Sequence, residues 1–100
     1  MTLKIILHAP TPAAWERARN SAVNVMREAP DAEVRIVVNA QAVAAALDTA
    51  DEELDAMTWL CPLTLHRTNR ESRMPLNVLP GAAVLEIARM QQAGWIYIRA

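Results

Sequence analysis

A chain of 100 residues is long enough for one small domain, spanning 1–100, with a single core and little area to spare. Its net charge of −1, with three Trp, one Tyr and no Phe, argues against a nucleic-acid partner, which calls for a basic excess and stacking platforms. Apolar residues make up 53% of the chain, yet no run approaches the roughly 18 residues of a membrane span, so no membrane partner is expected.

Leu3-Lys4-Ile5-Ile6-Leu7-His8 is a nearly continuous apolar run, the pattern of a strand covered on both faces. It is too short for a signal peptide and no small-residue cleavage site follows, which predicts a cytoplasmic location. The lone cysteine, Cys61, fits that reducing compartment. Pro10-Thr11-Pro12 breaks the strand. Thr11 is the expected N-cap and Pro12 the first residue of a helix to about Ala29. Trp15, Ala18, Ala22, Val25, Met26 and Ala29 give that helix one apolar stripe, and Pro30-Asp31 stops it.

Val34–Asn39 is a β-branched second strand. Ala40–Leu47 reads as a short helix, and 51–55 as a further helical turn whose acids cap its start and form a solvated face. Met57–Cys61 is the third strand. A polar segment follows, then a fourth short strand at Leu76–Leu79. Pro80-Gly81 leads into a helix over Ala82–Ala93, stopped by Gly94, and Trp95–Ile98 is the last strand. Alternating strands and helices predict an α/β fold: a mostly parallel sheet of about five strands with helices on both faces.

Several chemistries lack their residues. With Gly81 and Gly94 as the sole glycines, neither a dinucleotide fingerprint nor a phosphate loop can form, and no Ser sits in a nucleophile elbow. One cysteine and two histidines cannot build a two-cysteine, two-histidine zinc cage. His8, His66 and Cys61 lack the tight spacing of metal ligands, so neither metal nor cofactor is expected.

Open α/β sheets bind ligands beyond the carboxyl ends of their strands. His8, Asn39 and Cys61 end the first three strands there. A helical turn starting at Pro62 would make Cys61 its cap, where free N–H groups stabilise a thiolate. His66, Arg67, Arg70 and Arg73 follow, opposed only by Glu71, and this basic stretch would further hold a thiolate and draw an anionic partner. His8 would serve as hydrogen-bond partner or proton donor to the thiol if the first and third strands lie side by side. The plainer reading makes Cys61 a small packing residue, His8 structural and the arginines loop solvation or subunit contacts. Trp15, Trp59 and Trp95 occupy apolar positions suited to core or interface. The apolar surplus itself predicts a homo-oligomer.

The opening strand, Pro30-Asp31-Ala32-Glu33-Val34, Val37-Val38-Asn39-Ala40 and the Cys61-x-x-Thr64-Leu65 pattern resemble the DsrE/DsrF-like (YchN-like) sulfur-handling superfamily. The C-terminal block Leu79-Pro80-Gly81-Ala82-Ala83-Val84-Leu85-Glu86-Ile87, continued through Gln92-Ala93-Gly94-Trp95-Ile96-Tyr97-Ile98-Arg99, is the most specific match. The resemblance implies a short single-domain member with a three-layer α/β/α fold, assembled as a cytoplasmic homo-oligomer of trimeric or hexameric build. It also implies a persulfide carrier or sulfurtransferase-like role at Cys61, with sulfur donor and acceptor proteins as partners. Only Cys61 carries that role over; the strand-end and basic-stretch reading adds His8 as a second catalytic candidate and Asn39, Thr64, His66, Arg67 and Arg70 as binding candidates. The alternative is a non-catalytic oligomeric binding or regulatory module in which Cys61 is structural and the strand-end cleft takes a small anion or a partner segment.

Overall fold

The computed structural model describes residues 2–100. Five strands form one sheet: β1 (Lys4–Ala9), β2 (Glu33–Val38), β3 (Thr58–Leu60), β4 (Asn77–Val78) and β5 (Ile96–Arg99). Every pairing is parallel and the order is β4-β3-β2-β1-β5. The chain steps outward from β1 to β4, then returns to the other side of β1. The reversal falls between β1 and β5, and ligand crevices of open α/β sheets open at such points.

The strand alternation sorts the core into two layers. Ile5, Leu7 and Ala9 of β1 with Val34, Ile36 and Val38 of β2 pack against α1 (Pro12–Glu28) and α2 (Ala42–Asp48). Leu54 of α3 (Glu52–Asp55) and Leu65 of α4 (Pro62–Arg67) join them. Ile6, Val37 and Cys61 face the other way, toward Ala83, Ile87 and Met90 of α5 (Ala83–Gln92). The expected α/β architecture with helices on both faces is thus present, and the sheet is wholly parallel.

Local chemistry sets the element ends. Thr11 caps α1 by accepting from the Ala14 N–H at 3.1 Å, and Pro12 opens the helix. Trp15, Ala18 and Ala22 are buried as the stripe requires, while Val25 and Met26 are partly covered. Gly94 adopts φ 99°, which a Cβ would strain, so glycine suits the stop of α5. Trp59 and Trp95 flank the Arg35 guanidinium at 4.7 Å on either side, over the second core layer.

One acidic segment departs from expectation. Asp51 does cap α3, accepting from the Leu54 N–H at 3.2 Å, and that N–H, followed by Arg19, lowers its pKa. Asp55, expected in a solvated face, is 1% exposed. It accepts from Arg73 Nη1 at 2.8 Å and from the Asp51 N–H at 3.0 Å. A buried carboxylate needs such a partner, because desolvation outweighs any gain from leaving it bare.

Candidate functional site

His8, Asn39 and Cys61 all project from the α5 side of the sheet at the carboxyl ends of their strands, as their alternation requires. The structure divides them between two adjoining recesses. Asn39 and Val84 line both.

The first recess, about 250 Å³, is lined by Cys61, Thr64, Arg67 and Ala83 besides those shared residues. Cys61 ends β3 and is the N-cap residue of α4, with Pro62 in the first helical turn. The residue is 6% exposed. Its sulfur makes no short capping bond. Burial pushes the thiol pKa up, but the N–H groups of Ala83, Thr64 and Leu63, with the Thr64 hydroxyl, outweigh it and hold the thiol below its ordinary value. These N–H groups come from the starts of two helices, α4 and α5. Thr64 Oγ1 also accepts from the Ala40 N–H at 3.2 Å. Ala40 holds φ 50°, a left-handed turn at the end of β2 that Thr64 pins.

The second recess, about 390 Å³, lies at the β1/β5 reversal. His8 bridges its floor: Nε2 lies 2.9 Å from Asn39 Oδ1, and Nδ1 lies 2.6 Å from the Tyr97 hydroxyl. Because an amide oxygen only accepts, Nε2 carries the proton. In the neutral ring Nδ1 then accepts from the phenol. Val84, Ile87, Ala88 and Gln91 form the wall, an i, i+3, i+4, i+7 stripe of α5.

His8 is not the partner of Cys61. β2 lies between β1 and β3, and both imidazole nitrogens are engaged elsewhere. The basic stretch is likewise dispersed. Arg67 borders the Cys61 recess, whereas Arg70 pairs with Asp48 at 2.7 Å on the surface. Arg73 turns away to the carbonyls of Leu47 and Ala46, both at 2.8 Å, and to Asp55. His66 is exposed and borders neither recess. Among the described residues no three His, Cys, Asp or Glu side chains gather closely enough to hold a metal ion. Nor is any helix among them long and apolar enough to cross a membrane.

Tyr97 was not among the residues expected at the site. Its signal in the sequence is a hydroxyl on an otherwise apolar final strand, which gains meaning only once β5 is known to lie beside β1. Fold and site together define a parallel α/β domain with a paired strand-end cleft, one half carrying a thiol and the other a Tyr–His–Asn chain. No family model, curated protein or solved structure matches the chain.

Proposed function

We infer that the protein is a small cytoplasmic sulfur carrier of DsrE-like type acting through Cys61. The observation that carries this reading is the convergence of N–H groups from α4 and α5 on a thiol that borders an open recess. A depressed pKa raises the thiolate fraction, and the thiolate is the species that attacks sulfur. In the first step the Cys61 thiolate attacks the outer sulfur of a donor persulfide. A new S–S bond forms at Cys61, the donor's S–S bond breaks, and the donor leaves as a thiolate that takes a proton. An acceptor thiolate then attacks the terminal sulfur, and Cys61 is released as its thiolate. No external oxidant or reductant is consumed in either step. Arg67, at the rim, supplies positive charge toward an anionic partner.

The same reading includes self-association into a trimer or hexamer. It is supported by a free edge at β5, where Ile96 and Ile98 are 48% and 45% exposed.

Intact-mass measurement after incubation with inorganic polysulfide tests the carrier role. Wild-type protein gains the mass of a sulfur atom, reversibly on adding thiol, and Cys61→Ser gains none. A wild-type chain that gains no sulfur, or gains it equally without Cys61, overturns the reading.

A further inference from the structure

We propose that the open β5 edge pairs antiparallel with the same edge of a second copy of this chain, about a two-fold axis centred on Tyr97, so that each copy's Tyr97 adds a wall to the other copy's His8 recess. This rests on the self-association proposed above and gives it a geometry. It does not depend on sulfur chemistry at Cys61.

The backbone of β5 turns the required groups outward. Successive residues of a strand direct their N–H and C=O to alternate sides. Ala100 donates its N–H to the His8 carbonyl at 2.9 Å and so faces β1, and by alternation Ile98 and Ile96 face it too. Tyr97 and Arg99 therefore direct their N–H and C=O to the open side, where no strand among the described residues lies. In an antiparallel pair, two directly opposed residues of such an outward set exchange both bonds. Tyr97 opposite Tyr97 meets that condition.

The side chains select a second copy as the occupant. A two-fold contact needs a patch complementary to itself, and Ile96-Tyr97-Ile98 reads the same in both directions. In the Tyr97-centred register, Ile96 of each copy lies opposite Ile98 of the other on the α1 side. The two tyrosines face each other on the α5 side. Arg99 falls at the outer ends, so no like charges are opposed. Moving the centre to Ile98 would leave Ile96 opposite Ala100 and lose the isoleucine match. All residues of β5 are exposed, so nothing has to move aside.

The axis stands perpendicular to the sheet, and each helical layer continues into the partner's. Tyr97 lines the His8 recess together with Val84 and Gln91. A second Tyr97 beside it bounds the recess on the side where the sheet now ends. A ring of three related by a three-fold axis alone lacks this contact, whereas a hexamer of two such rings can contain it.

Disulfide trapping in a Cys61→Ser background tests the register. Directly opposed residues of an antiparallel pair have Cα atoms about 4.5–5.5 Å apart, within disulfide reach, and diagonal ones lie about 7–8 Å apart, beyond it. Under mild oxidation, Ile96→Cys/Ile98→Cys should give covalent dimers while keeping the Tyr97–His8 bond, and Tyr97→Cys should do the same at the centre. Ile96→Cys or Ile98→Cys alone should link at least about tenfold more slowly. Tyr97→Pro removes the outward N–H and spares the bonds to β1, so it should give a folded monomer by light scattering and circular dichroism. Tyr97→Phe keeps the N–H and should associate like wild type. The proposal is overturned if wild type is monomeric at high micromolar concentration, if either single isoleucine variant links as fast as the double one, or if a folded Tyr97→Pro associates as wild type does. A wild-type oligomer whose double variant does not link would keep self-association and remove this contact. Sulfur uptake is measured separately on the wild-type chain, so neither result decides the other.

Discussion

Thr64 shows how much of the Cys61 environment depends on one hydroxyl. It is 4% exposed, accepts the Ala40 N–H, and its hydroxyl is among the groups that lower the Cys61 pKa. Thr64→Val keeps the shape and removes both. With one stabilising group lost and burial unchanged, the thiol pKa rises. Alkylation of Cys61 by iodoacetamide at neutral pH should slow by about three- to tenfold, and the rate–pH curve should move to higher pH. Thr64→Ser should restore most of the rate. The valine variant also leaves a backbone N–H unpaired beside the strained Ala40, at about 1–2 kcal/mol in urea unfolding. The wild-type shift has a thermodynamic sign as well. Because the folded thiol loses its proton at lower pH than the unfolded one, the folded state holds fewer protons across that window. Stability should therefore rise with pH through it and reach its full gain above the unfolded pKa. His8, Asn39 and Cys61 were legible as strand-end residues, because alternation and strand length place them there. Tyr97 was not, since its role depends on which strand lies next to β1, and no local pattern encodes that neighbour.

Among the elements, the segment between α4 and β4 owes its place to Arg73. Sequence reading put this arginine in a basic cluster around the thiol, but a long side chain is placed by what it can reach. Arg73 reaches the exposed carbonyls at the end of α2 and the buried carboxylate of α3. One guanidinium thereby ties the β3–β4 crossover to two helices of the other face. Arg73→Ala would strand Asp55, whose side chain is 2% exposed, and should cost about 3 kcal/mol or more in urea unfolding. Arg73→Lys should recover only a minor part, because an ammonium cannot span the same fork of acceptors. Asp55→Asn in the Arg73→Ala background should recover more, since it removes the unpaired charge. An Arg73→Ala protein as stable as wild type would show the clamp to be redundant. The helices themselves were readable from capping and stripe residues such as Thr11, Trp15 and Gly94. Their long-range ties were not, because the partners of Arg70 and Arg73 lie 22 and 18 positions away from them in Asp48 and Asp55.

For the whole molecule, the imbalance between its two helical layers is the feature with a consequence. α1 and α2 cover β1 and β2 on one side, and β5 extends beyond them. Ile96 and Ile98 pair in register with Ile5 and Leu7 and so share their face, but no helix among the described residues covers them. Leu3, 50% exposed, is a third bare apolar residue near the amino end of β1. An apolar strip along an unpaired strand edge invites another chain, and edge strands that stay monomeric in water usually carry charge, proline or a bulge. β5 has Arg99 at one end and none of these devices along Ile96–Ile98. Light scattering coupled to gel filtration should therefore give a mass that is a multiple of 11.1 kDa. Ile96→Lys with Ile98→Lys should shift the population to monomer. Both positions are about half exposed, so the monomer should stay folded, with a circular dichroism spectrum like that of wild type. A wild-type chain that is monomeric at high micromolar concentration would remove the assembly from the proposed function. A charged variant that stays oligomeric would move the interface away from β5, most directly to the exposed Val84 and Leu85 of α5. That outcome would also cover the mouth of the Tyr97 recess, which Val84 lines.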